Sequence, residues 1–341
     1  MTNADRLCHI GLNMRKIGAF RIIVCVSILL FLVLSPSKLL EAVGVDFYLE
    51  QLQIEKPEWQ GTITLYHIVS AKTYQGSVTY YLQTQAEAFE RNNRGVFIEV
   101  IGMSEEDYKE RLEYGRTPDA FSFFAGSVYR EQLQFLNQDY GGFVEGLRAL
   151  EQAVPYLYSG YAACKNEQGA DGETLCASEF SAARLGRLGI SDAAGFSDNR
   201  YQNAVLDLRS VGDCIRAEKV VNLSVEAVDN FTEQVCYLGI AKGTSADKAY
   251  WCEQFFLWLL SDKAQQELSS IGAFCAKSGV EQEFSSRLLV ELKTAYSTVT
   301  TVEPFEYYSN KEALWADAAL AAGGDAAAGE RFIQRLGVVL L

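Results

Sequence analysis

Histidine is almost missing from this 341-residue chain: only His9 and His67 occur. None of its eight cysteines stands in a CxxC spacing. These two absences exclude the common zinc sites and leave little for a nucleophile-and-base pair. There is no glycine-rich phosphate loop, so a nucleotide site is not indicated. Positive charge is scarce too. The chain has 30 Lys and Arg against 44 Asp and Glu, a net charge of −14. Arg6, Arg15, Lys16, Arg21 and Lys38 all lie in the first 38 residues, with Asp5 the one acid there. The rest is therefore more acidic still, and nothing in it would neutralise the phosphates of DNA or RNA.

Hydrophobic residues make up 49% of the chain and aromatics 12%, enough to build cores. Length alone fits one large domain or two medium ones. The strongest local signal is "IIVCVSILLFLVL" (Ile22–Leu34), preceded by basic residues and followed by "SPSK". It reads as a signal-peptide core or an uncleaved N-terminal membrane anchor within residues 1–38, with 39–58 as linker. The protein is then exported. It sits at the outer face of the cell membrane, held by that helix or released after cleavage. No lipobox cysteine follows the run, so a lipid anchor is not supported. Six cysteines lie beyond the leader, an even number that permits three disulfides in an exported protein. Cys164 and Cys176 flank the turn-rich "KNEQGADGETL" and are the favoured pair. Buried thiols are an equal reading for Cys236 and Cys252. No metal or cofactor is implied.

From Gly61 the pattern becomes regular. "TITLYHIV" reads as a buried strand, and Val78, Leu82, Ala86 and Phe89 form one helical stripe. "VFIEVI" is a second strand, Ser104 to Asp107 a capping-box start, and "DAFSFF" after Pro118 a third strand. This alternation predicts an α/β fold with doubly wound, parallel sheets. Ligands in such sheets bind beyond the carboxyl ends of the strands. Those ends place Ser70, Lys72, Tyr74, Ser122, Phe124 and Ser127 as candidate ligand-binding residues. Residues 128–160 read as helical and then turn-like, 161–230 carry little periodicity, and Val235–Ala241 is a strand.

"AYWCEQFFLWLLSDKAQQELSSIGAF" (Ala249–Phe274) opens with twelve mostly apolar residues. As a helix these span about 18 Å, short of the roughly 30 Å of a bilayer core. The stretch therefore predicts a buried helix. Ser261-Asp262 then caps a second helix, with Ala264, Leu268 and Ile271 turned inward. Helices follow Gly279, and Gly323-Gly324 divides the last of them in two.

Four segments resemble the extracellular solute-binding proteins of bacterial ABC transporters, nearest the carbohydrate-binding group. They are "YLGIAKGTSADKAYWCEQFFLWLLSDKAQQELSSIGAF", "FERNNRGVFIEV", "YGRTPDAFSFFAG" and "ALWADAALAAGGDAAAGERFIQRL". The resemblance implies a two-lobed, periplasmic-binding-protein-like (type II) fold. Residues 59–160 plus 235–280 would form the first lobe, and 161–234 plus 281–341 a reduced second lobe. It also implies a small-molecule solute, a sugar foremost, bound between the lobes and delivered to ABC permease subunits. The short second lobe and the missing lipobox depart from the family pattern. They keep open a second reading, a membrane-tethered sensor or interaction module that has lost transport. An enzyme is not expected. His67 lies mid-strand as a core residue, and Glu105-Glu106 read as helix-capping charge.

Overall fold

A computed structural model describes residues 59–170, 174–176, 178–186, 196, 198–216 and 223–341. The expected leader, anchor and linker lie outside these residues. The described residues build two sheets with helices against them. The first sheet contains β1 (Gly61–Ile68), β2 (Val96–Met103), β3 (Ala120–Phe124), β4 (Val154–Tyr158), β9 (Val235–Ile240) and β10 (Phe274–Cys275), in the order β10-β4-β9-β3-β1-β2. The second contains β5 (Tyr161–Asn166), β6 (Leu175–Cys176), β7 (Asn203–Asp207) and β8 (Leu223–Ala227), in the order β6-β7-β5-β8.

The first strands form as their residue types require. β1 and β3 are rich in β-branched and aromatic side chains, and all five residues of β3 are buried. Helix α1 (Val78–Asn92) joins β1 to β2 and buries Val78, Tyr81, Leu82, Gln85, Ala86 and Phe89 on one stripe. Helix α2 (Glu105–Glu113) opens with a full capping box: Ser104 Oγ accepts from Asp107 N, and Asp107 returns the bond to the Ser104 backbone. β1 pairs in parallel with both β2 and β3. Asp119, just before β3, accepts from Thr64 N at 2.9 Å and holds Lys248 Nζ at 2.8 Å.

The sheets are mixed rather than wholly parallel. Parallel pairing in the first sheet is confined to β2-β1-β3, while β9 runs against both β3 and β4. The cause is the route of the chain. β4 leads out to the second sheet through Ser159-Gly160, and β9 re-enters beside the carboxyl end of β3, where Ala125 N bonds to Val235 O. In the second sheet β5 is antiparallel to β7 and β8, and only β6 and β7 pair in parallel.

Segment 128–153 is not helical beyond one 3-10 turn at Arg130–Gln132. Gly142 and Gly146 adopt positive φ there, and the backbone pairs with distant segments instead, as in Glu145 with Thr298. The apolar helix is as expected: α5 (Ala246–Leu259) buries Trp251, Cys252, Phe255, Phe256 and Leu259. Phe89 of α1 meets Trp251, Phe255 and Trp258 edge-on. Helix α6 (Asp262–Glu267) is capped by Ser261, and Ala264, Leu268 and Ile271 are buried. No helix among the described residues is long and apolar enough to cross a membrane.

Helices α3 (Glu179–Arg184), α4 (Leu208–Arg216), α7 (Arg287–Ala295), α8 (Pro304–Ala322) and α9 (Ala326–Val339) accompany the second sheet and the C-terminus. Gly323 and Gly324 separate α8 from α9, and Asp317 ties them by accepting from Arg331 and Arg335, each at 2.9 Å.

The expected Cys164–Cys176 disulfide is not formed. All six described cysteines are buried, and no disulfide links them. Cys164 on β5 lies opposite Ala204 of β7, and Cys176 on β6 lies opposite Val205 of the same strand. Strand β7 therefore separates them by two interstrand spacings, about 10 Å, beyond disulfide reach. Ala204 and Val205 are consecutive, so the two thiols also face opposite sides of the sheet. They join different apolar clusters accordingly.

Candidate functional site: a cleft between the two sheets

A cleft of about 200 Å³ opens at the carboxyl ends of β1 and β3. Ser70, Ala71, Phe124 and Ala125 form its wall on the first sheet. Tyr161, Ser178 and Asp207 face them from the second sheet and its flank. Glu233 and Gln234, just before β9, close its base, and Tyr307, Lys311 and Trp315 of α8 line one side. A second hollow of about 500 Å³ adjoins it, lined among others by Glu105, Tyr108, Ser127, Tyr129 and Tyr308, and sharing Lys311 and Trp315.

Each polar group is positioned by the crossing of the chain between sheets. Tyr161 begins β5 on the outward crossing and Glu233 stands on the return. The Tyr161 hydroxyl donates to Glu233 Oε1 and joins the two. Glu233 Oε2 and Gln234 Oε1 are buried with no partner. Burial pushes the Glu233 carboxyl above the ordinary carboxylate range, and this outweighs the hydrogen bond from Tyr161 and the field of Arg184. Burial and the nearby carboxylate likewise raise the Tyr161 phenol. Asp207 ends β7 and caps α4, accepting from Ser210 N at 2.9 Å. Lys311 Nζ bonds Glu105 Oε1 at 2.8 Å and Oε2 at 3.0 Å. Trp315 is braced by Phe180 at 5.6 Å between ring centres, and its Nε1 donates to Tyr307 Oη at 3.1 Å.

Of the residues expected from the strand ends, the structure brings three together. Ser70 and Phe124 line the cleft, and Ser127 lines the adjoining hollow. Ser127 Oγ donates to Glu105 Oε1 at 2.9 Å and lies 3.0 Å from Ser70 Oγ. The other three lie elsewhere. Lys72 is exposed outside the lining. Tyr74 is buried against Gly272, where an added Cβ would come within 2.6 Å of it, and the Arg216 guanidinium lies over its ring at 5.6 Å. Ser122 is enclosed in the sheet, bonded to His67 Nδ1 and Tyr156 Oη, each at 2.8 Å.

The sequence reading did not place Tyr161, Asp207, Glu233, Gln234, Tyr307, Lys311 or Trp315 at the site. One local signal was available for Glu233-Gln234: a polar pair directly before a strand whose six residues are all buried.

No protein-family model matches the sequence, and no curated protein matches it. Solved structures do. A cyclo/maltodextrin-binding protein complexed with maltotetraose is similar at a TM-score of 0.59 and 11% identity, over 83% of this chain and 98% of that one. The GacH receptor of Streptomyces glaucescens, solved unliganded and with acarbose, gives 0.58 and 14%, over 82% and 99%. The fold is that of the two-lobed solute-binding proteins. Iron-bound HitA from Pseudomonas aeruginosa shares it at 0.52 and 14%, over 77% and 98%. Among the described residues of this chain, no group of three or more His, Cys, Asp or Glu side chains could hold a metal ion. These structures share the architecture with this chain at low sequence identity.

Proposed function

We propose that this protein is an extracytoplasmic solute-binding protein that captures a carbohydrate in the cleft between its sheets and passes it to an ABC permease. The observation that carries this reading is the convergence of Trp315 with the two unpartnered buried acceptors, Glu233 Oε2 and Gln234 Oε1. A sugar fits that set in two ways. Its apolar face packs on an indole ring, and its hydroxyls donate to buried oxygens that otherwise go unsatisfied. The neighbouring fold supports the reading, since the cyclo/maltodextrin-binding protein was solved with maltotetraose. Membrane attachment belongs to the same proposal through the apolar run Ile22–Leu34.

A thermal-shift screen of the full chain against mono- and oligosaccharides, amino acids and polyamines tests it. Ligand at about 100-fold above its dissociation constant adds about 2.7 kcal/mol, a rise on the order of 5 °C. A shift confined to saccharides is the expected result. A folded protein that shifts with no solute would overturn solute capture.

One observation favours the second reading, a tethered sensor or interaction module. A single apolar cluster runs from Phe121 and Phe123 of the first sheet to Phe180, Leu206 and Phe332 beside the second. A packed core of that kind resists hinge opening. Small-angle scattering with and without saturating saccharide separates the two readings: a transporter partner contracts on binding, and a rigid module does not.

A further inference from the structure

Among the described residues lining the cleft, carboxyl groups outnumber basic groups, and the one lining cation is already engaged. Asp207 and Glu233 both line it, while Lys311 is held by Glu105. Behind Glu233 stands Arg184 of α3, whose field acts on Glu233; Asp229 accepts from its Nη1, its guanidinium lies over the Phe231 ring at 4.5 Å, and its Nη2 is buried with no partner. Arg184 does not line the cleft. Among the described residues, the phenols of Tyr161, Tyr296 and Tyr307 also lie in the field of Glu233, and none of them is cationic. The two unpartnered buried atoms of the cleft lining, Glu233 Oε2 and Gln234 Oε1, are both acceptors. Hydroxyl groups would satisfy those acceptors but would bring no cation to the two carboxyl groups. An ammonium group satisfies both.

We propose that the solute this cleft is built for is an amine-bearing carbohydrate, its ammonium seated against Glu233 and Asp207 and its ring on Trp315. The inference rests on the solute-capture reading above and names the class of sugar. It has a chemical consequence. The buried Glu233 carboxyl holds its proton to higher pH than an exposed one. An arriving ammonium stabilises the carboxylate and shifts Glu233 toward its ionised form, so whatever proton it holds leaves to the buffer as the ion pair forms. A neutral sugar draws no such proton.

The test is isothermal titration of the full chain with matched pairs: glucosamine against glucose, galactosamine against galactose, mannosamine against mannose. Each is run near pH 6, where the amines are charged, in two buffers of different ionisation enthalpy. At least one amine is expected to bind about tenfold or more tighter than its neutral partner. Its binding enthalpy should depend on the buffer, up to one proton released per solute bound. Glu233→Gln should abolish the buffer dependence and most of the preference, with circular dichroism confirming the fold. If that variant does not fold, the proton count on the unmodified chain and the preference retained by Asp207→Asn decide the matter. Equal affinity for amine and neutral sugar without proton release overturns the amine inference and leaves solute capture standing. No binding by any sugar of the panel overturns both.

Discussion

His67 gives the sharpest quantitative prediction, because it is the one histidine among the described residues. It is 1% exposed, and burial lowers its pKa from 6.5 to about 4, with the Ser122 hydrogen bond opposing the change. The folded protein keeps it neutral. As pH falls below about 6.5, the unfolded chain takes up a proton that the folded chain refuses. Stability therefore declines from about pH 6.5 to about pH 4 and levels off below. The gap between the two pKa values corresponds to about 3 kcal/mol. His67→Gln removes the titration and keeps a polar group within reach of Ser122. The buried carboxyls Glu233 and Glu253 titrate in both proteins and cancel in the comparison. Urea unfolding at several pH values across the window provides the stabilities. The stability of the parent relative to His67→Gln should fall by about 3 kcal/mol between pH 7 and pH 4. A difference that stays constant across that range would refute the account of a buried neutral imidazole.

Three further outcomes follow from packing and covalent state. Phe180→Ala should cost about 3–5 kcal/mol, because its ring meets Phe332 at 5.1 Å and Trp315 at 5.6 Å. It should also weaken solute binding through the loosened Trp315, and denaturation and titration of the same variant would separate the two effects. Gly146→Ala should destabilise by more than about 3 kcal/mol or prevent folding. Its φ is +92°, and an added Cβ would fall 1.6 Å from Val299 O; soluble yield and melting temperature report it. Reduction with dithiothreitol should leave the melting temperature unchanged, since none of the six described cysteines is in a disulfide. A drop of several degrees would refute the assignment of free thiols.

Much of the first sheet was legible because its signals are local. The alternation of β1, α1, β2, α2 and β3, the Ser104 capping box and the Gly323-Gly324 break each depend on residues a few positions apart. The buried nature of α5 was legible for the same reason, since length alone separates a short apolar helix from a membrane span. Segment 128–153 misled because its helix-like composition is overridden by glycines at positive φ and by pairing to distant strands. The cysteine pair misled because sequence proximity says nothing of the strand that comes between them.

The sequence by itself determined the parallel core of the first sheet, the acidic charge and the absence of metal or nucleotide motifs. It also placed Ser70, Phe124 and Ser127 at the strand ends, where the structure has them lining the candidate cleft and its adjoining hollow. Only the tertiary structure decided the chemistry of the cleft. Tyr161, Asp207, Glu233 and Trp315 come from four separated segments, and no periodicity links them. Glu233 becomes an unusual acid only when two crossings of the chain bury it beside Tyr161. Burial is a property of the assembled fold, and so is the acceptor-rich surface that follows from it.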